Sequence, residues 1–158
     1  MTPMQAAIQL DQLDRQIVGV LLEDGRATFA QIGDRVGLSA PAVKRRVDRL
    51  VSSGAITGFT VRVDPSVIGW STEGYVEIYC RGSTSPAEIL KAVDKHPEVV
   101  SASTVTGEAD AILHILASDI RHFEQVVERI ASEPFMVRTK SELVLSPLVR
   151  REQGSLPT

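Results

Sequence analysis

From Arg35 to Arg49 the chain carries five basic side chains and a single acid, Asp48. Val43, Val47 and Leu50 fall on one helical stripe within that stretch. At about 100° per residue, Arg45 points almost directly away from the stripe, with Pro41, Asp48, Arg49 and Ser52 beside it. Lys44 and Arg46 flank the boundary and suit phosphate contacts or structural ion pairs. Ser39, Ala40 and Pro41 open the same segment. Small residues allow close approach to base edges, and arginines behind them reach guanine edges or phosphates. Charge alone describes a solvated helix in a bundle equally well. The spacing around it is what points to a nucleic-acid groove.

A second candidate is the run Thr106-Gly107-Glu108-Ala109-Asp110. Gly107 permits tight backbone approach and leaves N–H groups for a carboxylate. Glu108 and Asp110 are placed to receive an ammonium group by charge-assisted hydrogen bonds. From the residues alone, a solvated hairpin turn is the simpler reading. Glu142 sits mid-strand, where an acid suits either a cationic or polar ligand or an ion pair with Lys140 or Arg138. Other chemistry finds no support. His96, His114 and His122 lack metal-ligand spacing, and His114 reads as a hydrogen-bonded sheet residue. No nucleophile motif, phosphate loop or dinucleotide fingerprint is present, so neither catalysis nor a cofactor or metal is expected.

Positioning the basic residues requires two helices and a tight turn. Thr28 and Gln31 have capping-box spacing, so a helix begins at Phe29. Its N-terminus, at Thr28, offers a backbone N–H to a phosphate. Gly37 supplies the turn, Ser39 caps the second helix, and Pro41 falls in its first turn. Leu10, Leu13, Ile17, Val20 and Leu21 form an earlier helix, capped by Asp11 and ended by Gly25, lying across the pair. Ile56–Val63 is rich in β-branched residues and reads as a strand, a wing with Phe59 in the core. Arg62 there suits a phosphate or solvent. Asp64–Trp70 reads as a hinge, with Trp70 packing it against the C-terminal domain.

Beyond residue 71 the rhythm becomes strand–helix–strand, twice. The strands are Glu73–Cys80, Val99–Thr106, Ala111–Ala117 and Val137–Leu145. The helices start at Ser85, carrying Ile89, Leu90 and Val93, and at Asp119, carrying Phe123, Val126, Val127 and Ile130. That order makes an α+β, ferredoxin-like βαββαβ sheet with helices on one face. Its bare face calls for the same face of a second chain, giving a two-fold dimer. The domains expected are a flexible N-terminus (1–9), a winged helix-turn-helix (10–60), a strand and hinge (61–71), the ferredoxin-like domain (72–150) and a disordered tail (151–158).

Net charge is −3. Residues 1–61 hold seven basic and six acidic side chains, a balance of +1; residues 62–158 hold ten and fourteen, a balance of −4. The basic excess is therefore local. The single cysteine, Cys80, excludes an internal disulfide. No apolar run is long enough to span a membrane and no signal peptide opens the chain, so a cytoplasmic protein is expected.

These residues resemble the leucine-responsive/asparagine-type (Lrp/AsnC, feast/famine) family of bacterial and archaeal transcription regulators. The marks are Leu10 with Asp14, Asp24-Gly25-Arg26, Arg35-Val36-Gly37-Leu38-Ser39, Arg46-Val47 with Arg49-Leu50, and Gly54 with Ile56. Val105 through Asp110 resembles the family's ligand-binding (RAM) domain. The resemblance runs from about Leu10 to about Leu148. It implies dimers built on the C-terminal domains, often assembled into octamers or hexadecamers. It also implies an amino acid or related effector bound between dimers near Gly107. The effector-binding set is then Thr106, Gly107, Glu108, Ala109 and Asp110, with Glu142 added as an acid where many relatives carry an aromatic or apolar residue. One reading helix makes too few contacts for useful specificity; two about 34–36 Å apart read a pseudo-palindromic operator in double-stranded DNA. The DNA-binding set is then Thr28, Ser39, Ala40, Pro41, Lys44, Arg45, Arg46 and Arg49. Two alternatives share the layout: a tetrapyrrole decarboxylase-like enzyme of the haem pathways, which needs convergent histidines or arginines in its pocket, and an architectural DNA-coating protein of low specificity.

Overall fold

The computed structural model describes residues 9–149 of the 158-residue chain. The expectations for residues 1–8 and 150–158 lie outside that range. Residues 9–62 and residues Val63–Val149 form two compact units, each with its own core.

The first unit is three helices: α1 (Gln12–Glu23), α2 (Phe29–Val36) and α3 (Ala40–Ser52). Asp11 caps α1, and its carboxylate accepts the Asp14 N–H at 2.7 Å. Ile17, Val20, Ile32, Val43 and Val47 close a core with Leu38 and Ile56 packed against it. Helix α1 ends at Glu23 with an extended Asp24 as its cap, one residue before the Gly25 expected there. The segment expected as a strand and wing, Ile56–Val63, is no strand. A strand needs a hydrogen-bonded neighbour, and among the described residues no segment of this unit pairs with it. Its apolar side chains are accordingly exposed: Phe59, expected in the core, is 58% accessible and Val61 79%.

The second unit opens with the 3-10 turn Pro65–Ile68, capped by Asp64 and closed by Gly69 at φ +94°. Its regular elements are β1 (Thr72–Cys80), α4 (Pro86–Val93), β2 (Val99–Thr104), β3 (Ala111–Ala117), α5 (Ile120–Ala131) and β4 (Met136–Leu143). The sheet is antiparallel in the order β2-β3-β1-β4, the ferredoxin-like arrangement. Alternation decides its faces. Val76 and Ile78 of β1 and Leu113 and Ile115 of β3 are fully buried, beneath Ile89 and Val93 of α4 and Phe123, Val126 and Ile130 of α5. Leu90, expected in that stripe, is exposed, because Ile89, Ala92 and Val93 already fill the inward face of α4. Trp70 lies against His122, ring centroids 6.1 Å apart, within this unit. The opposite face of the sheet, with Tyr75, Glu77, Tyr79, Ile112, His114 and Lys140 in register, has no covering layer among the described residues.

Candidate nucleic-acid interface and effector site

Helices α2 and α3 are set by their caps and by two glycines. Thr28 Oγ1 accepts the Gln31 N–H at 3.2 Å, and the Gln31 side chain accepts the Thr28 N–H at 2.8 Å. Ser39 Oγ takes the Ala42 N–H at 3.4 Å, and Pro41 sits where no intrahelical N–H is needed. Gly37 holds φ +73° at the turn, as its position in the sequence predicts. Gly33 is the second determinant, and nothing in the sequence singles it out. Its carbonyl accepts the Gly37 and Leu38 N–H groups at 2.8 and 3.0 Å. A Cβ on Gly33 would stand 2.3 Å from the Leu38 carbonyl oxygen, so the returning chain is packed directly on the helix backbone.

The basic residues of α3 divide sharply. Arg45 is exposed and has no ion pair or hydrogen bond among the described residues. Lys44 is exposed and bound to Asp48 at 2.5 Å, one turn on. Arg46 is mostly covered, and its Nη1 donates to Asp11 at 2.7 Å and to Asp14 at 2.8 Å. Those two carboxylates hold its guanidinium above the ordinary arginine range, and Arg46 in turn holds the Asp11 carboxyl below its own. Arg49 donates through Nη2 to both oxygens of Asp14, at 2.7 and 2.6 Å. Arg46 and Arg49, placed at the interface by sequence, are therefore first of all braces between α3 and α1. Thr28, Ser39 and Pro41 are exposed or half-buried at the starts of their helices, as is Ala40.

In the second unit a hollow of about 580 Å³ lies where the turn after β2 meets the uncovered sheet face. Val105, Thr106, Glu108 and Ala109 line it from the turn; Glu77, Tyr79, Ile112 and Lys140 line it from the sheet. Gly107 sits at the tip with φ +119°. Asp110 is turned away: its carboxylate accepts the Cys80 N–H at 2.6 Å, and its own N–H donates to the Ile78 carbonyl at 2.9 Å. It pins the turn and does not line the hollow. Glu142 also lies outside it, paired with Lys140 at 2.9 Å. The Tyr79 hydroxyl donates to Glu77 at 2.6 Å, which with nearby Lys140 holds that carboxyl below its usual range. The Arg138 guanidinium lies 3.7 Å above the Tyr79 ring. The sheet-side residues escape the sequence reading, although the alternation of Glu73-Gly-Tyr-Val-Glu-Ile-Tyr marks Glu77 and Tyr79 as sharing one face.

Residues 10–51 match the AsnC-type helix-turn-helix domain, and residues 73–153 match the Lrp/AsnC ligand binding domain. The HTH-type transcriptional regulator Rv2324 of Mycobacterium tuberculosis is 54% identical over 143 residues, 90% of this chain and 97% of that protein. The chain belongs to the Lrp/AsnC family. Among solved structures it is similar to the feast or famine regulatory protein of M. tuberculosis complexed with L-methionine. That chain is 31% identical, with a TM-score of 0.85 over 93% of this chain and 99% of that one. A transcriptional regulator of Neisseria meningitidis in complex with L-methionine is 28% identical, with a TM-score of 0.86 over 94% and 97%. As a member of the Lrp/AsnC family this chain is a DNA-binding transcription regulator whose second domain is of the ligand-binding type.

Proposed function

We propose that the chain reads a pseudo-palindromic operator through α3 and answers to an amino acid held beside the 105–109 turn. Ser39, Ala40 and Pro41 approach the bases, and Arg45 reaches a base edge or phosphate. Lys44 and the N-terminus of α2 at Thr28 contact the backbone. Residues 10–60 act as the DNA-binding head, 61–71 as the connector, and 72–150 as the effector and oligomerisation domain. The protein acts in the cytoplasm, with no catalytic step. The observation that carries the DNA reading is Arg45: it alone among the cations of α3 has no intramolecular partner among the described residues. A cation left free at the exposed surface of a capped, glycine-turned helix pair is available to DNA at no cost in broken ion pairs.

For the effector, the hollow offers Glu108 to an α-ammonium group and the backbone N–H groups around Gly107 to an α-carboxylate. Glu77 and Lys140 supply a second pair of opposite charges. L-Methionine, present in two of the similar structures, is the first candidate. The rest of the bare sheet face, around Tyr75 and His114, packs against its copy in a two-fold dimer, and dimers assemble further. A thermal-shift screen of the amino acids tests the effector, because ligand bound to the folded state raises its melting temperature. No shift with any amino acid up to millimolar concentration would remove the hollow from this role.

A further inference from the structure

Asp14 stands out in the DNA-binding head because it is an acid, 3% accessible, directly behind the helix proposed to face DNA. Its carboxylate gathers hydrogen bonds from two arginines of α3 thirty-two and thirty-five residues away. The two arginines are used differently. Arg46 is only 22% exposed and is shared with Asp11, so its guanidinium is consumed as a brace. The Arg49 side chain is 57% exposed, and only Nη2 is engaged, leaving Nε and Nη1 without partners among the described residues. Arg49 lies one turn beyond Arg45 on the exposed surface of α3.

We infer that Asp14 is a positioning residue for DNA recognition: it fixes Arg49 from behind so that the outer edge of the guanidinium is presented in one orientation. A free arginine must be ordered when it meets DNA, at a cost in side-chain entropy. An arginine already seated on a buried carboxylate has lost that freedom on folding, and its remaining N–H groups keep a fixed direction. The arrangement also carries specificity. Asp14 cancels one positive charge, which lowers attraction for any phosphate backbone while sharpening the geometry for the right sequence. The inference rests on the reading that α3 faces DNA.

That opposition gives the test. The probes are the tightest duplex that the full-length chain selects from a random-sequence pool and a scrambled duplex of equal length, titrated at fixed salt. Asp14→Asn removes a negative charge and the seat of Arg49 together. Positioning predicts that affinity for the selected duplex falls about tenfold while affinity for the scrambled duplex holds or rises. Arg49→Lys, which keeps the charge and can still reach Asp14 but loses the outward Nε and Nη1 donors, should lower the same ratio with the helical signal by circular dichroism retained. A parallel fall for both duplexes in both variants, or no change in either, overturns the inference. If Arg45→Ala also leaves the selected duplex bound as before, the fault lies with the DNA-facing role of α3; if Arg45→Ala weakens it and the ratio for the other two variants is unchanged, only the role of Asp14 falls.

Discussion

What an arginine on α3 contributes depends on what its neighbours have already taken from it. Arg45 and Arg46 are adjacent in sequence, yet one is free among the described residues and the other is bound to two carboxylates. Arg45→Ala should therefore weaken the selected duplex about tenfold or more in a gel-shift titration, with the melting temperature unchanged. Arg46→Ala should instead lower the melting temperature of the head, since it leaves buried Asp14 short of a partner. Glu98 is the comparable acid of the second unit. Burial pushes its carboxyl upward, but hydrogen bonds from its own backbone, from His122 at 2.9 Å and from Arg129 at 2.7 Å, with the charge of Arg129, bring it down to about 2. A carboxyl lowered by folding adds stability above its unfolded value near 4.5, and that stability is lost as pH falls toward about 2. Glu98→Gln should cost about 1–3 kcal/mol at neutral pH. The gap in urea midpoint between wild type and variant should close as pH is lowered from about 6 to about 3; a gap independent of pH would contradict the assignment.

At the scale of elements, caps and turns are legible because their signals are local. Thr28 with Gln31, Ser39 with Pro41, and Ser85 with Glu88 each act within three residues, so the order of residues alone specifies them. Gly33 is not legible, because the carbonyl that excludes a Cβ there arrives with the turn. Gly33→Ala should cost about 1–3 kcal/mol by forcing α2 and the turn apart. Gly37→Ala meets no neighbour and should cost only about 1 kcal/mol for its left-handed backbone. Chemical denaturation ranks the two, and the reverse order would refute this account of the turn. The segment Ile56–Val63 fails as a strand for the opposite reason: β-branched composition gives preference, and pairing requires a partner that the described residues of this unit do not supply.

At the scale of the molecule, the uncovered sheet face bears on assembly. Tyr75 stacks on His114, centroids 4.7 Å apart, and His114 bonds Glu73 at 2.7 Å, so the face is ordered before any partner meets it. If it is the dimer contact, Tyr75→Asp places an additional acid near Glu73 and Glu142 on both copies. Light scattering should then show the variant with a lower mass than the wild type, and its affinity for a two-site operator should drop with it; equal masses would move the contact elsewhere. The sequence by itself determined the two-part plan, the helix-turn-helix and the strand–helix–strand order, because capping, turn chemistry and a period of two act between near neighbours. Only the tertiary structure decided which cations are free. Asp14 is thirty-five residues from Arg49, and Asp110 thirty from Cys80. A charge or a carboxylate carries no mark in the sequence of whether folding will bring it a distant partner, and that partner determines whether it remains available to a ligand.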